Sequence, residues 1–542
     1  MHLIPTDIVL AVVSAGLGAH QVFKRFEPDN LAAQLALLAL PPTLFSVALN
    51  SHAPLLAAIT YAFGIYLSTL VLSVVVYRLS PFHPLASYPG PLYLKVSKLS
   101  LIWIASRGAQ HKFIKQLHER YGDVVRTGPN EVSIRDVDAL PSVSTIPKDP
   151  RYGFNSKMAF SNSLSLIAER NPIEHARRRK PWNRAFNASA LKGYEEIVAK
   201  RANALVQALA AQKGEVDLGK WFAYFTFDFM SDMAFGGGSE MIRDGSSGSK
   251  WHVLEEGIVY FHAFGQLPWA ILYLRRIPAI ARTTQRLVAQ GRGLAIERLK
   301  NGSLSRDLFY YLNNEDGADA VTPPFPETVS NGVLAMIAGA DTTSIALSNL
   351  FYFVLADRAV YERLQAEVDR YFPPGEDPLD TKHHASMPFL NAVINETLRL
   401  YPVVVDGSQR RVAKGSGGRA AGSYYLPEGT TTYVHLYSLQ RDPRYFSDPD
   451  AFYPDRWLRA PDADPAFVHD TRAYAPFSFG PNNCVGRGLA LQEMRMLAVL
   501  LVRRFEMRFP DGWDHRKYEE GLEDWFVIQK PALKVVLTPR VA

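Results

Sequence analysis

The chain opens on three apolar stretches before any amphipathic pattern begins. Residues 53–77 (APLLAAITYAFGIYLSTLVLSVVVY) carry no charge and are long enough to cross a hydrocarbon core of about 30 Å as a helix. Residues 7–23 are shorter and interrupted by His20, and residues 31–49 hold Gln34 and the Pro41-Pro42 pair, so each of these fits either a span or an interfacial helix. If all three cross, Lys24 and Arg25 lie on the cytosolic side, the turn Asn50-Ser51-His52 on the opposite side, and Arg78 back in the cytosol. The start MHLIPTD has no basic n-region and no clear small-residue cleavage site follows, which speaks against a cleaved signal peptide.

Past Arg78 the run SPFHPLASYPGP cannot continue a helix, because Pro81, Pro84, Pro89 and Pro91 remove amide donors and restrict the residues before them. It reads as a stiff hinge over 79–92, between an anchor at 1–78 and one large domain at 93–542. In that domain helical periodicity predominates, over 111–121, 174–192, 195–212, 326–357, 359–372, 386–401 and 484–505, with β-rich pieces near 123–135, 423–435 and 525–538. A mainly α fold with minor β is expected. The Gly/Ser stretch 236–248 lacks a GxxxxGK[ST] pattern and reads as a surface loop.

Composition narrows the function classes. The net charge of +6 comes from basic residues scattered among 53 acidic ones, without the long basic block that nucleic acid would need. One cysteine excludes an internal disulfide and a zinc cluster. A lone cysteine is by base rate a small buried apolar side chain, so its surroundings must decide its role. His383-His384 sit in a polar loop without further ligands at suitable spacing and read as surface residues.

The surroundings of Cys484 are specific. In FSFGPNNCVGR, Phe477, Gly480, Cys484 and Gly486 form an FxxGxxxCxG frame that delivers a thiol to the start of an amphipathic helix. Unpaired N–H groups at a helix start favour a thiolate and tune its donor strength, as an iron ligand requires. Gly480 permits a turn, Gly486 lets a flat macrocycle approach the backbone, and Phe477 shields the sulfur. In NGVLAMIAGADTTSIALSNL a polar insertion interrupts an apolar helix. Thr342 can bond back to the preceding turn and, with Gly339, open a groove for dioxygen or water, while Asp341 and Thr342 can relay protons. Glu396 and Arg399, three apart, share one helix face.

Taken together these motifs resemble the cytochrome P-450 superfamily, from the YPGP run to the C-terminus, in the layout of its fungal microsomal members. The resemblance implies the cytochrome P-450 fold, haem b ligated by Cys484, Asp341 and Thr342 at the oxygen site, and a buried ExxR pair, Glu396 and Arg399, joined by Arg456 of FYPDRW. EHARRRKPW resembles the family's WxxxR helix, with His175 in the tryptophan place and Arg179 on a haem propionate; Arg411 of QRRV is a further propionate candidate. One departure stands out: the family usually carries a basic residue two before the cysteine, where this chain has Asn482. The implied activity is monooxygenation in secondary metabolism at the endoplasmic reticulum membrane, with the catalytic domain facing the cytosol. Electrons would come from an NADPH-cytochrome P-450 reductase, with cytochrome b5 as an optional second donor. Residues 251–275 are rich in aromatic and aliphatic side chains and are expected to form a membrane-facing roof, pointing to an apolar, terpenoid or triterpenoid/sterol-like substrate. A peroxide isomerase that needs no reductase, and a non-catalytic haem sensor, are the rival classes; the Asp341-Thr342 pair speaks against both.

Overall fold

The three apolar stretches form helices α1 (Thr6–Phe26), α2 (Leu31–Leu49) and α3 (Leu55–Leu79), each long and apolar enough to cross a membrane. They belong to a computed structural model that describes residues 6–540 apart from 29, 153–163, 246–264, 268, 269, 275, 304 and 460–463. Prolines inside α2 are tolerated because a neighbour replaces what they remove. Pro41 has no amide to bond Leu37 O, and the Tyr66 hydroxyl of α3 donates to that carbonyl at 2.6 Å. Helix α1 joins the bundle through His20 Nδ1 and Ser73 Oγ, 2.7 Å apart, and through the Lys24 ammonium 3.8 Å over the Tyr77 ring. Tyr66→Phe is therefore expected to weaken the anchor by about 0.6–1.7 kcal/mol. Thermal unfolding in micelles should show a lower midpoint for it, and none of that loss for Thr60→Ala, whose hydroxyl bonds only its own exposed helix turn.

The proline-rich run is fastened, not free. Arg126, 1% exposed, donates to Arg78 O (3.1 Å) and Pro129 O (2.9 Å), while its own amide donates to Pro89 O (2.7 Å). Gly90 is required where the two segments touch: its φ is +155° and a Cβ there would lie 2.5 Å from Arg126 O. The turn between α1 and α2 also touches the large domain, through Glu27, whose carboxylate pairs with Arg411 at 2.6 Å and Lys414 at 3.4 Å.

The domain is mainly helical with small sheets. Its helices include α4 (Gln110–Tyr121), α5 (Pro172–Ala185), α6 (Ala188–Ala210), α7 (Leu218–Phe235), α8 (Pro278–Asn301), α9 (Phe325–Ala356), α10 (Arg358–Tyr371), α11 (Pro388–Leu400) and α12 (Arg487–Arg504). Strands β1 (Val124–Gly128), β2 (Glu131–Ile134), β3 (Arg410–Arg411) and β4 (Thr431–Val434) make a sheet of order β1-β2-β4-β3, in which β2 and β4 run parallel. The helix expected over 174–192 is two helices: Asn187 accepts from Ala190 N at 2.9 Å and restarts the chain as α6.

Helix α9 is the core. It too is apolar enough to span a membrane, yet most of it is buried inside the domain. Helix α7 packs along it, with Phe222 and Phe351 ring centroids 5.3 Å apart and Gly332 closed over by the Phe235 ring. His384 is buried, its Nε2 donating to Pro378 O at 3.0 Å, so of the pair read as surface residues one is a core histidine. Most of the expected roof, 251–264 and 268, 269 and 275, lies outside the described residues; from its remainder Gln266 Nε2 donates to Gln110 Oε1 (2.9 Å) and Tyr273 OH to Gln34 Oε1 (2.7 Å).

Candidate functional site

The cysteine loop turns sharply before α12. Ser478 and Gly480 have φ of +62° and +73°, and a Cβ on residue 480 would lie 2.5 Å from Ser144 Oγ, so glycine is needed for both conformation and packing. Cys484 N donates to Phe477 O at 2.9 Å, which closes the loop. Cys484 is solvent-accessible, although many protein atoms surround its sulfur. Burial pushes the thiol pKa up; hydrogen bonds from the backbone N–H groups of Gly486 and Arg487, with the charges of Arg179 and Arg487, pull against it. At Gly486 a Cβ would meet Phe186 at 3.7 Å and Cys484 Sγ at 3.9 Å, ordinary contacts, so packing within the protein does not by itself demand glycine there. Phe477 is half-buried, with the Arg487 guanidinium 5.8 Å from its ring.

In the middle of α9 the partly accessible residues Leu334, Ile337, Ala338, Asp341 and Thr342 recur at i, i+3, i+4, i+7 and i+8, an open stripe widened by the accessible Gly339 on a largely buried helix. Thr342 Oγ1 donates to Ala338 O at 2.7 Å, which places its hydroxyl on that stripe. Gly339 does something other than the expected groove. A Cβ there would lie 2.5 Å from Met230 Sδ, so the missing side chain is filled by the thioether of α7 and serves helix packing.

A second group of side chains collects positive charge beside the cysteine loop. Arg179 donates from Nη1 to Asn483 O and from Nη2 to Asn483 Oδ1, both at 2.9 Å, one residue from the thiol. His175, one turn earlier on α5, is buried, and its pKa is lowered to about 4 by burial and by Lys148, Arg179 and Arg410. It is therefore a neutral imidazole at physiological pH. Arg410 is buried, with Nη1 lacking a hydrogen-bond partner among the described residues, and it shares a recess with Ser144, Gly407, Ser408 and Ser478 of the cysteine loop. Burial lowers the pKa of Arg410 and Arg179, so neither cation is fully compensated by the protein. Arg411 points elsewhere. Successive strand residues face opposite sides, and Arg411 is engaged by Glu27 of the anchor turn and by Gly429 O (3.2 Å). Arg410 is thus the residue that the sequence reading missed, and strand alternation in β3 was the signal that separates the pair.

The structure brings Glu396, Arg399 and Arg456 together, all fully buried. Glu396 accepts from Arg399 Nε and Nη2, Arg456 Nε, Tyr453 N and Trp457 Nε1, each at 2.9 Å. Burial pushes its carboxyl up, and the hydrogen bond and charge of Arg399 and the charge of Arg456 outweigh it, so the pKa is lowered. Arg399 reaches Gln440 O at 2.7 Å, and Gln440 Oε1 accepts from Ala475 N at 2.9 Å. A continuous chain of bonds therefore runs from the carboxylate to the base of the cysteine loop. Among the described residues no cluster of three or more His, Cys, Asp and Glu side chains could hold a metal ion.

Comparisons agree with this geometry. A family model described as cytochrome P450 matches residues 89–537. The chain is 32% identical over 481 residues to cytochrome P450 monooxygenase FCK2 of Fusarium pseudograminearum (strain CS3096), covering 87% of this chain and 85% of that protein. It is 31% identical over 483 residues to the trichothecene C-15 hydroxylase of Fusarium sporotrichioides, covering 86% and 95%. To the tryprostatin B 6-hydroxylase of Aspergillus fumigatus it is 29% identical over 545 residues, covering 96% and 93%.

Proposed function

This chain belongs to the cytochrome P450 family of haem-thiolate monooxygenases, and from that premise we propose that it hydroxylates an apolar, terpenoid or sterol-like substrate with electrons from NADPH through a cytochrome P-450 reductase. The single observation that carries the haem assignment is Cys484, an accessible sulfur that accepts from two backbone N–H groups at the start of α12. The residues present fit haem b. Gly486 leaves the backbone open to a flat ring, and His175, Arg179 and Arg410 supply the donors and charge that two propionates would complete. Haem, when bound, supplies the iron on which dioxygen is activated.

The protein's own residues do the rest. The Cys484 thiolate would hold the iron and donate electron density to it, with the N–H groups of Gly486 and Arg487 setting its strength. Asp341 and Thr342, adjacent on the open stripe of α9, move protons toward the oxygen site, the carboxylate exchanging with solvent and the hydroxyl passing the proton on. Phe186, stacked on Trp182 with ring centroids 6.3 Å apart, lies against Gly486 beside the cysteine loop. The apolar anchor supports a substrate drawn from the bilayer, and the contact of the α1–α2 turn with the domain supports three spans with that turn and the domain on one side, which we take to be the cytosolic side of the endoplasmic reticulum. Two relatives are named as hydroxylases, which supports hydroxylation here.

The proton relay predicts that Asp341→Asn lowers product formation about 10²-fold while haem content is unchanged. Rapid-quench product analysis beside a pyridine-haemochrome assay checks it. The whole reading is tested by incubating the full chain in nanodiscs with reductase, NADPH, O₂ and a lipophilic library: hydroxylated apolar products that need NADPH are expected, and turnover without NADPH, or of soluble charged compounds alone, would refute it.

A further inference from the structure

Asn482 is neutral where the resemblance implies a basic residue, and a buried lysine, Lys148, lies beside Arg410. Lys148 forms an isolated antiparallel bridge with Arg410, so the two side chains leave the same face of the backbone toward the same region. Lys148 is 8% exposed, its ammonium donates to Leu166 O at 3.0 Å, and no carboxylate ion-pairs with it among the described residues. Burial, with the charges of Arg410 and Arg179 beside it, lowers its pKa to about 7, and Glu169 is the acidic group that acts against them. A protein interior does not hold a lysine among arginines cheaply, and a partner anion resolves the conflict.

We propose that Lys148 is a binding residue for the haem propionates, supplying, beside Arg179 and Arg410, the positive charge that the chain lacks at Asn482. This rests on the haem reading above. Removing the charge has opposite consequences in the two states of the protein. Without haem, Lys148→Met relieves a buried, uncompensated cation, so the apo chain unfolds at the wild-type temperature or higher. With haem, the same change removes a propionate contact, and haem loss is faster.

The experiment compares full-length wild type, Lys148→Met, Lys148→Arg and the double variant Lys148→Met with Asn482→Arg, each loaded with hemin in nanodiscs. Haem transfer to apomyoglobin is followed at the Soret band, and apo unfolding by circular dichroism. Lys148→Met is expected to release haem roughly tenfold faster or more, one tenfold step being about 1.4 kcal/mol. Lys148→Arg should hold haem as wild type does, and Asn482→Arg should restore retention to the Met variant. Wild-type release from Lys148→Met, failed rescue by Asn482→Arg, or an apo form that unfolds earlier while release is unchanged would each overturn the proposal. A wild-type chain that takes up no haem would instead overturn the reading beneath it.

Discussion

Glu396→Ala is expected to cost about 3–5 kcal/mol of folding stability, because it strands two buried guanidinium groups. Among the described residues Arg399 and Arg456 ion-pair with no carboxylate but Glu396; their other hydrogen-bond partners are the carbonyls of Gln440, Pro449, Ala451, Ser447 and Asp448. Tyr453 N and Trp457 Nε1 would lose their acceptor as well. Denaturant midpoints of the haem-loaded chain should fall accordingly, and haem should be lost early in the transition, since Gln440 links this cluster to Ala475. The pH sign follows from the lowered carboxyl pKa. The contribution is complete above the unfolded value of about 4.3 and is lost as pH falls through the lower folded value. Glu396→Gln removes that acid-labile part. A denaturant midpoint within error of wild type for Glu396→Ala would contradict the scaffold role.

What the sequence made legible was local. The FxxGxxxCxG frame, the Glu396/Arg399 spacing and the insertion in α9 each lie within about three turns of chain, so residue type and spacing suffice to single them out. The three N-terminal helices were legible for the same reason, although whether α2 continues through Pro41 was decided by Tyr66, far away in sequence, which takes the carbonyl that the proline frees. The α7 helix left no amphipathic trace because nearly every residue from Phe222 to Phe235 is buried, and a helix wet on no side shows no period.

Other differences share one cause, the dependence of a side chain's role on elements distant in sequence. Gly339 looks like a groove until Met230 fills it. Arg410 and Arg411 are alike in sequence, and β3 sends one toward the cysteine loop and the other to Glu27 in the α1–α2 turn. Lys148 lies in no motif at all, and its significance comes only from its bridge to Arg410.

The central claim is that the one sulfhydryl of this chain ligates haem iron. Replacing Cys484 by alanine removes the donor atom and should abolish turnover altogether, while Phe477, Gly480 and the Glu396 cluster keep the loop in place. The direct measurement is the carbon monoxide difference spectrum of the dithionite-reduced, hemin-loaded chain, wild type beside Cys484→Ala. A thiolate-type Soret band in the wild type that is absent from the variant is the predicted result; no such band in the wild type, or the same band in both, contradicts the account.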